Sequence, residues 1–201
     1  LGVYNAAAER RRRLTRVALM AGIGVLSVAL IAGWAVSFVR NAGYVDDVAA
    51  RLPAIQQGVA AIPPGTAGDV AVLIKPLTDV RNAARTGAFP IEDPPLSMTL
   101  GLYQGDKLDA GARLAHQRLI EKAFAPRIAT RLEERLRAAN ASNLENAYEA
   151  LKNYLMLYTP DKFDADTLRA WIATDWDVQY ARALDADGRA ELDRHLDAML
   201  A

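Results

Sequence analysis

The run VALMAGIGVLSVALIAGWAVSFV, residues 17–39, holds no charged residue over 23 positions, and Arg10, Arg11, Arg12, Arg13 and Arg16 stand directly before it. As a helix rising ~1.5 Å per residue it reaches about 34 Å, enough to cross a hydrocarbon core of about 30 Å. An Arg or Asp at the centre would cost roughly 2.5–3.5 kcal/mol to insert, and the run has none. The reading is a transmembrane helix over 17–39. The arginines are a topology signal that stays cytoplasmic, which places the chain after Arg40 outside the cytoplasm. A cleaved signal peptide has an apolar core of only about 7–15 residues. A nucleic-acid patch is the other meaning of an arginine run, but this one abuts an apolar span.

The charge distribution agrees. The 201 residues carry 24 basic and 24 acidic side chains, but six of the basic ones and a single acid, Glu9, fall in residues 1–40. Residues 41–201 are therefore net −5, which speaks against a nucleic-acid partner. The absence of Cys removes disulfides, thiolate chemistry and Cys-type zinc sites. The chain opens on Leu-Gly-Val-Tyr without an initiator Met, and it reads as an excerpt of a longer protein.

Within the span, Ala18, Gly22, Ala29 and Gly33 share one face. Small residues there let a second helix approach, so they form a candidate packing seam. Trp34, Phe38 and Tyr44 gather at the outer end as a candidate interfacial aromatic belt. Beyond it, Val45, Val48, Ala49, Leu52, Ile55, Val59 and Ile62 recur at helical spacing, with a kink or break expected at Pro53. Pro63-Pro64-Gly65 reads as a turn. A second helix follows with Val70, Leu73, Ile74, Leu77, Val80 and Ala84 on one face, interrupted at Pro76. Residues 86–105, with Phe89-Pro90 and Pro94-Pro95, read as a linker loop.

A long helix is expected from about Asp106, as its cap, to about Ala139, kinked or divided at Pro126. Its Arg127, Arg131, Arg135 and Arg137 against Glu133 and Glu134 read as a solvated face with local ion pairs. Ser142-Asn143 would cap a further helix with Leu144, Ala147, Tyr148, Leu151, Leu155 and Tyr158 facing inward. Asp164 or Asp166 starts a helix carrying Leu168, Trp171, Ile172 and Trp176, with Trp171 expected buried against Leu155 and Leu168. A last helix runs from about Asp187 to Leu200. No strand is expected.

The class is thus all-α: one transmembrane helix followed by a helical stalk or bundle. The segments are 1–16, a cytoplasmic basic stretch; 17–39, the membrane helix; 40–85, a helical hairpin; 86–105, the linker; and 106–201, a helical domain that continues past the C-terminus.

No constellation for chemistry emerges. His116 and His195 lack a partner at zinc-ligand or triad spacing, and His195, between Asp193 and Asp197, reads as a surface residue. Gly101 to Lys107 superficially follows a phosphate loop, but three residues separate Gly101 and Gly105 where the Walker pattern needs four, and Asp106 would repel phosphate. Asp161, Asp164 and Asp166 lack the Gly and Glu of a calcium loop. No cofactor or metal site is assigned, and no catalytic residue.

The segment Leu100-Gly101-Leu102-Tyr103-Gln104-Gly105-Asp106-Lys107-Leu108 resembles a stretch of the TssM/IcmF family, inner-membrane subunits of type VI secretion systems. The likeness continues through Arg118-Leu119, Pro126-Arg127-Ile128, Arg131-Leu132-Glu133, Tyr148 to Tyr158, and Trp171 and Trp176. The arginines before the apolar span are similar to the entry to that family's last membrane helix. The resemblance implies a structural subunit anchoring the injection apparatus, with its N-terminus cytoplasmic and its later part periplasmic. It implies self-association, a TssL-type inner-membrane partner, and a TssJ-type lipoprotein met through a C-terminal part outside this chain. The alternative from another class is a membrane-anchored sensor whose helical domain binds a small ligand, which needs a concave pocket with convergent polar groups.

Overall fold

The computed structural model describes residues 6–65, 69–138 and 144–201. Every element among them is helical, and no strand occurs. Helix α1 spans Ala6–Ala60 as one continuous element, so Pro53 does not break it. Its most apolar window is wholly uncovered by protein. By length and composition this stretch is a candidate membrane span.

After α1 the chain turns through Pro63 and Pro64 to Gly65, whose φ of 94° is open to glycine at little cost. A short 3-10 turn, Val70–Leu73, leads into α2, Ile74–Arg81. Its cap is Asp69, which accepts from the Ala71 amide at 2.8 Å. Pro76 therefore lies in the first turn of α2, where its missing N–H removes no helical bond, instead of interrupting a longer helix.

The long helix expected from Asp106 is divided. Helix α3 runs Gly105–Leu119, a π turn occupies Ile120–Phe124, and α4 runs Ala125–Arg137. Asp106 sits inside the first turn and is not the residue before it. The division follows from Pro126: it lacks an N–H, and its ring would clash with the carbonyl four residues back. The π turn moves the Ala125 amide onto the Ile120 carbonyl and places Pro126 in the first turn of α4. Helix α5 is Leu144–Tyr158, and the expected Ser142-Asn143 cap lies outside the described residues. Helix α6, Ala165–Gln179, is capped by Asp164, whose carboxylate accepts from the Asp166 and Thr167 amides. Helix α7, Ala186–Leu200, is capped by Asp185.

The chain divides into two compact units: residues up to Asp47 with Thr86–Asp106, and Val48–Arg85 with Lys107–Ala201. In the first, the stretch read as a linker packs against the C-terminal part of the span. Tyr44 is buried against the rings of Phe89 and Tyr103, at 5.5 and 6.2 Å between centroids. Tyr44 is therefore not presented to lipid, whereas Trp34 and Phe38 are exposed. The second unit is built on Leu73 of the 3-10 turn and Leu77 of α2, Phe124, Ile128 and Leu132 around α4, Leu168, Ile172 and Trp176 of α6, and Leu192 and Leu196 of α7. Trp176, 1% exposed, is the central aromatic, edge-on to Phe124 at 6.3 Å. Trp171, expected in that role, is only partly buried at the edge of the core, and Leu155 is exposed. At 3.6 residues per turn, positions five apart point about 140° away from each other, so the two tryptophans cannot both face the centre of the core.

Candidate functional site

The expected motif Gly101, Leu102, Tyr103, Gln104 and Gly105 has a structural explanation. Gly101 has φ 82° and turns the chain. Tyr103 donates its hydroxyl to the Ile91 carbonyl at 3.0 Å while stacking on Tyr44. A Cβ at Gly105 would fall on the Tyr103 ring, so only glycine fits there. Gln104 donates to the Leu102 carbonyl at 3.2 Å. These residues build the first unit and form no phosphate cradle. Along the candidate seam, Ala18, Gly22 and Ala29 are uncovered, with nothing within 4 Å of a Cβ at Gly22. At Gly33 the chain's own Leu100 occupies the space, 3.5 Å from where a Cβ would stand. The topology arginines Arg10 to Arg13 and Arg16 are all exposed.

In the second unit the two histidines meet. His116 Nε2 lies 3.1 Å from His195 Nδ1, and His195 Nε2 lies 3.1 Å from Thr78 Oγ1. Thr78 donates to Glu191 Oε2 at 3.2 Å, and Arg81 Nη2 pairs with the same oxygen at 2.8 Å. Arg194 closes on the other Glu191 oxygen. His195 is fully buried and is not the surface residue its flanking aspartates suggest; His116 is 7% exposed. Burial, with His116 and Arg81 adding to it, pushes the His195 pKa down to about 4 against the opposing pull of Glu191 and the Ile74 carbonyl. Burial and then Arg81 lower His116 as well. Both rings are therefore neutral near pH 7, and one proton lies between them. His195 itself is enclosed by protein. The pair ties α2, α3 and α7 together. The pairing spans 79 residues, which no local spacing encodes. The only local trace is Glu191 and His195 four apart on one helix face.

The arginine face of α4 is not merely solvated. Arg127 is 2% exposed and donates to the carbonyls of Pro63 at 2.7 Å and Ala123 at 3.1 Å, which clips the turn after α1. Arg131 and Arg135 converge on the buried carboxylate of Asp175, Arg131 Nε at 2.8 Å. Beside them lies a cleft of ≈ 680 Å³ between α4, α5 and α6, lined among others by Asn153, Trp171 and Asp175. Its buried carboxylate, Asp175, is held by the two arginines.

Helix α5 reverses its expected face. Leu144, Tyr148, Leu151, Leu155 and Tyr158 are 74, 65, 45, 52 and 62% exposed, while Ala150, Asn153 and Met156 are buried. Asn153 donates its Nδ2 to the Glu149 carbonyl at 2.8 Å, while its buried Oδ1 has no partner among the described residues. The outward stripe is spaced 4, 3, 4 and 3, the spacing of a coiled-coil seam, and no helix among the described residues covers it.

Residues 74–201 match the family described as "IcmF-related: Intracellular multiplication and human macrophage-killing". The chain is 35% identical over 196 residues, 98% of its length, to "Type VI secretion system component TssM1" of Pseudomonas aeruginosa strain PAO1. It spans 17% of that relative's length. No solved structure matches.

Proposed function

The chain belongs to the IcmF-related family, and from that membership we propose that it is part of a structural, non-enzymatic inner-membrane subunit of a type VI secretion complex. The observation that carries this reading is α1: a charge-free, uncovered apolar span preceded by five arginines, in a chain collinear with a secretion-system component over nearly its whole length. In this reading residues 1–16 are cytoplasmic, 17–39 cross the inner membrane, and the rest extends into the periplasm to anchor the apparatus. Ala18, Gly22 and Ala29 face another membrane helix, of a second copy or of a TssL-type subunit. Trp34 and Phe38 sit at the outer interface. Any contact with a TssJ-type lipoprotein belongs to parts of the protein beyond these residues.

The occupant of the α5 stripe is a second copy of this chain. In an antiparallel pair the stripe is self-complementary: Leu144 of one copy packs on Leu155 of the other, and Tyr148 on Leu151. That register sets exposed Glu145 beside the other copy's exposed Lys152. A parallel pair would set no opposite charges together.

Two measurements test the proposal. A reporter active only outside the cytoplasm is expected to be active when fused after Ala42 and silent before Arg10; the reverse pattern refutes the orientation. Leu151→Asp with Leu155→Asp is expected to abolish self-association and secretion at normal protein level. Glu145→Lys alone weakens association, and Glu145→Lys with Lys152→Glu restores it. Failure of the double reversal to restore it would remove the antiparallel pairing.

A further inference from the structure

We propose that the loop Pro94–Gly101 inserts into the bilayer surface at the Val39 end of the span, with Leu96 and Leu100 as its lipid-facing side chains. The inference rests on the reading of Val17–Val39 as a span and adds a second membrane contact beside it. The loop's position along α1 is set by three contacts within one compact unit. Arg40 Nη1 donates to Ser97 Oγ at 2.5 Å, Asn41 Nδ2 donates to the Met98 carbonyl at 3.0 Å, and Leu100 Cδ1 lies 3.5 Å from the Cβ position of Gly33. Ser97 and Met98 thus sit at the end of the apolar run, while the Leu100 side chain reaches about two turns back along it.

The depth follows from the rise of the helix. Gly33 is six residues inside Val39, about 9 Å. A run of about 34 Å exceeds a hydrocarbon core of about 30 Å by only about 4 Å, so the level of Gly33 stays below the hydrocarbon boundary. Leu100 is 48% exposed at that level, and Leu96, next to Ser97 in the chain, is 86% exposed.

Two further features suit an apolar layer. Residues 94–105 carry no charge, and the charges resume on either side at Glu92 and Asp93 and at Asp106 and Lys107. The loop also pairs part of its backbone internally, which lowers the cost of entering an apolar layer. The Met98 amide donates to the Pro95 carbonyl at 2.8 Å, Thr99 donates to the Leu96 carbonyl through both its amide and hydroxyl, and the Gly101 amide reaches the Thr99 carbonyl at 2.6 Å. Pro94 and Pro95 bring no donors. Gly101, with φ 82°, turns the chain out again.

The chain lacks cysteine, so single thiols can be placed cleanly. Leu96→Cys and Leu100→Cys, in the whole chain reconstituted into phosphatidylethanolamine–phosphatidylglycerol vesicles, are spin-labelled and read for accessibility to oxygen and to a water-soluble nickel chelate. Val25→Cys serves as the mid-span reference and Tyr148→Cys as the α5 reference. Both loop labels are expected to be oxygen-accessible and at least five-fold less nickel-accessible than the label at 148, at shallower depth than 25. Nickel access equal to that at 148 overturns the proposal, and shielding from both reagents does so too, since it means protein covers the loop. Nickel access at 25 itself would instead refute the span.

Discussion

Acidification is expected to unfasten the buried histidine pair. His195 is fully buried, and its pKa of about 4 lies below the ordinary 6.5. Between these values the unfolded chain binds a proton that the folded chain refuses. Stability is therefore full above about pH 6.5 and falls as the pH drops toward 4. At about 1.36 kcal/mol per tenfold change in proton affinity, the full difference is at most about 3 kcal/mol. Roughly 2 kcal/mol of it is lost between pH 7.5 and pH 5. At about 2–4 °C per kcal/mol for a chain of this size, the melting temperature should fall by about 4–8 °C over that interval. The lowered pKa of His116 works in the same direction. The titrating and charged groups around the pair are Arg81, Glu191 and Arg194; Glu191, held low once Arg81 outweighs its burial, loses its contribution only in more acid solution. The assay is thermal unfolding of the detergent-solubilised chain by near-ultraviolet circular dichroism at half-unit pH steps, with His195→Gln beside the wild type. The variant should be less stable at pH 7.5 and lose less between pH 7.5 and 5. Parallel curves for the two proteins would refute the claim that the buried pair governs this window.

Trp176→Ala should cost about 3–5 kcal/mol, since its ring is fully enclosed, and Trp171→Ala clearly less; equal losses in the same melting assay would contradict the assignment of the core. Asp175→Ala leaves Arg131 and Arg135 without their shared acceptor and should lower stability by about 1–3 kcal/mol, toward the lower end because Arg135 is partly solvated; high salt should narrow the gap to wild type. Gly22→Leu should reduce recovery of the assembled complex from detergent without preventing membrane insertion, and unchanged recovery would mean that this face of α1 meets lipid.

The long apolar N-terminal helix, the all-helical class and the order of the helices were legible in the sequence because each depends on local quantities: charge-free length, helical periodicity, and proline and aspartate at helix starts. Pro126 told that the long helix divides, although not that a π turn would carry the division, since that depends on how Ile120 and Phe124 reach the core. The family likeness was carried by ordered segments such as Gly101 to Gly105, while the reason for those glycines appeared only when Tyr103 was seen folded over Gly105 and against Tyr44. Everything that depends on which face meets which neighbour was decided by the tertiary structure. The stripe on α5 was visible as a period, but period alone cannot say inward or outward, and the packed side carries Ala150, Asn153 and Met156 instead. The joining of His116 to His195 across 79 positions, and of Arg131 and Arg135 to Asp175, lies beyond any local pattern. Burial of polar groups is acceptable only where distant partners complete their hydrogen bonds, and those partners are brought together by packing, not by spacing.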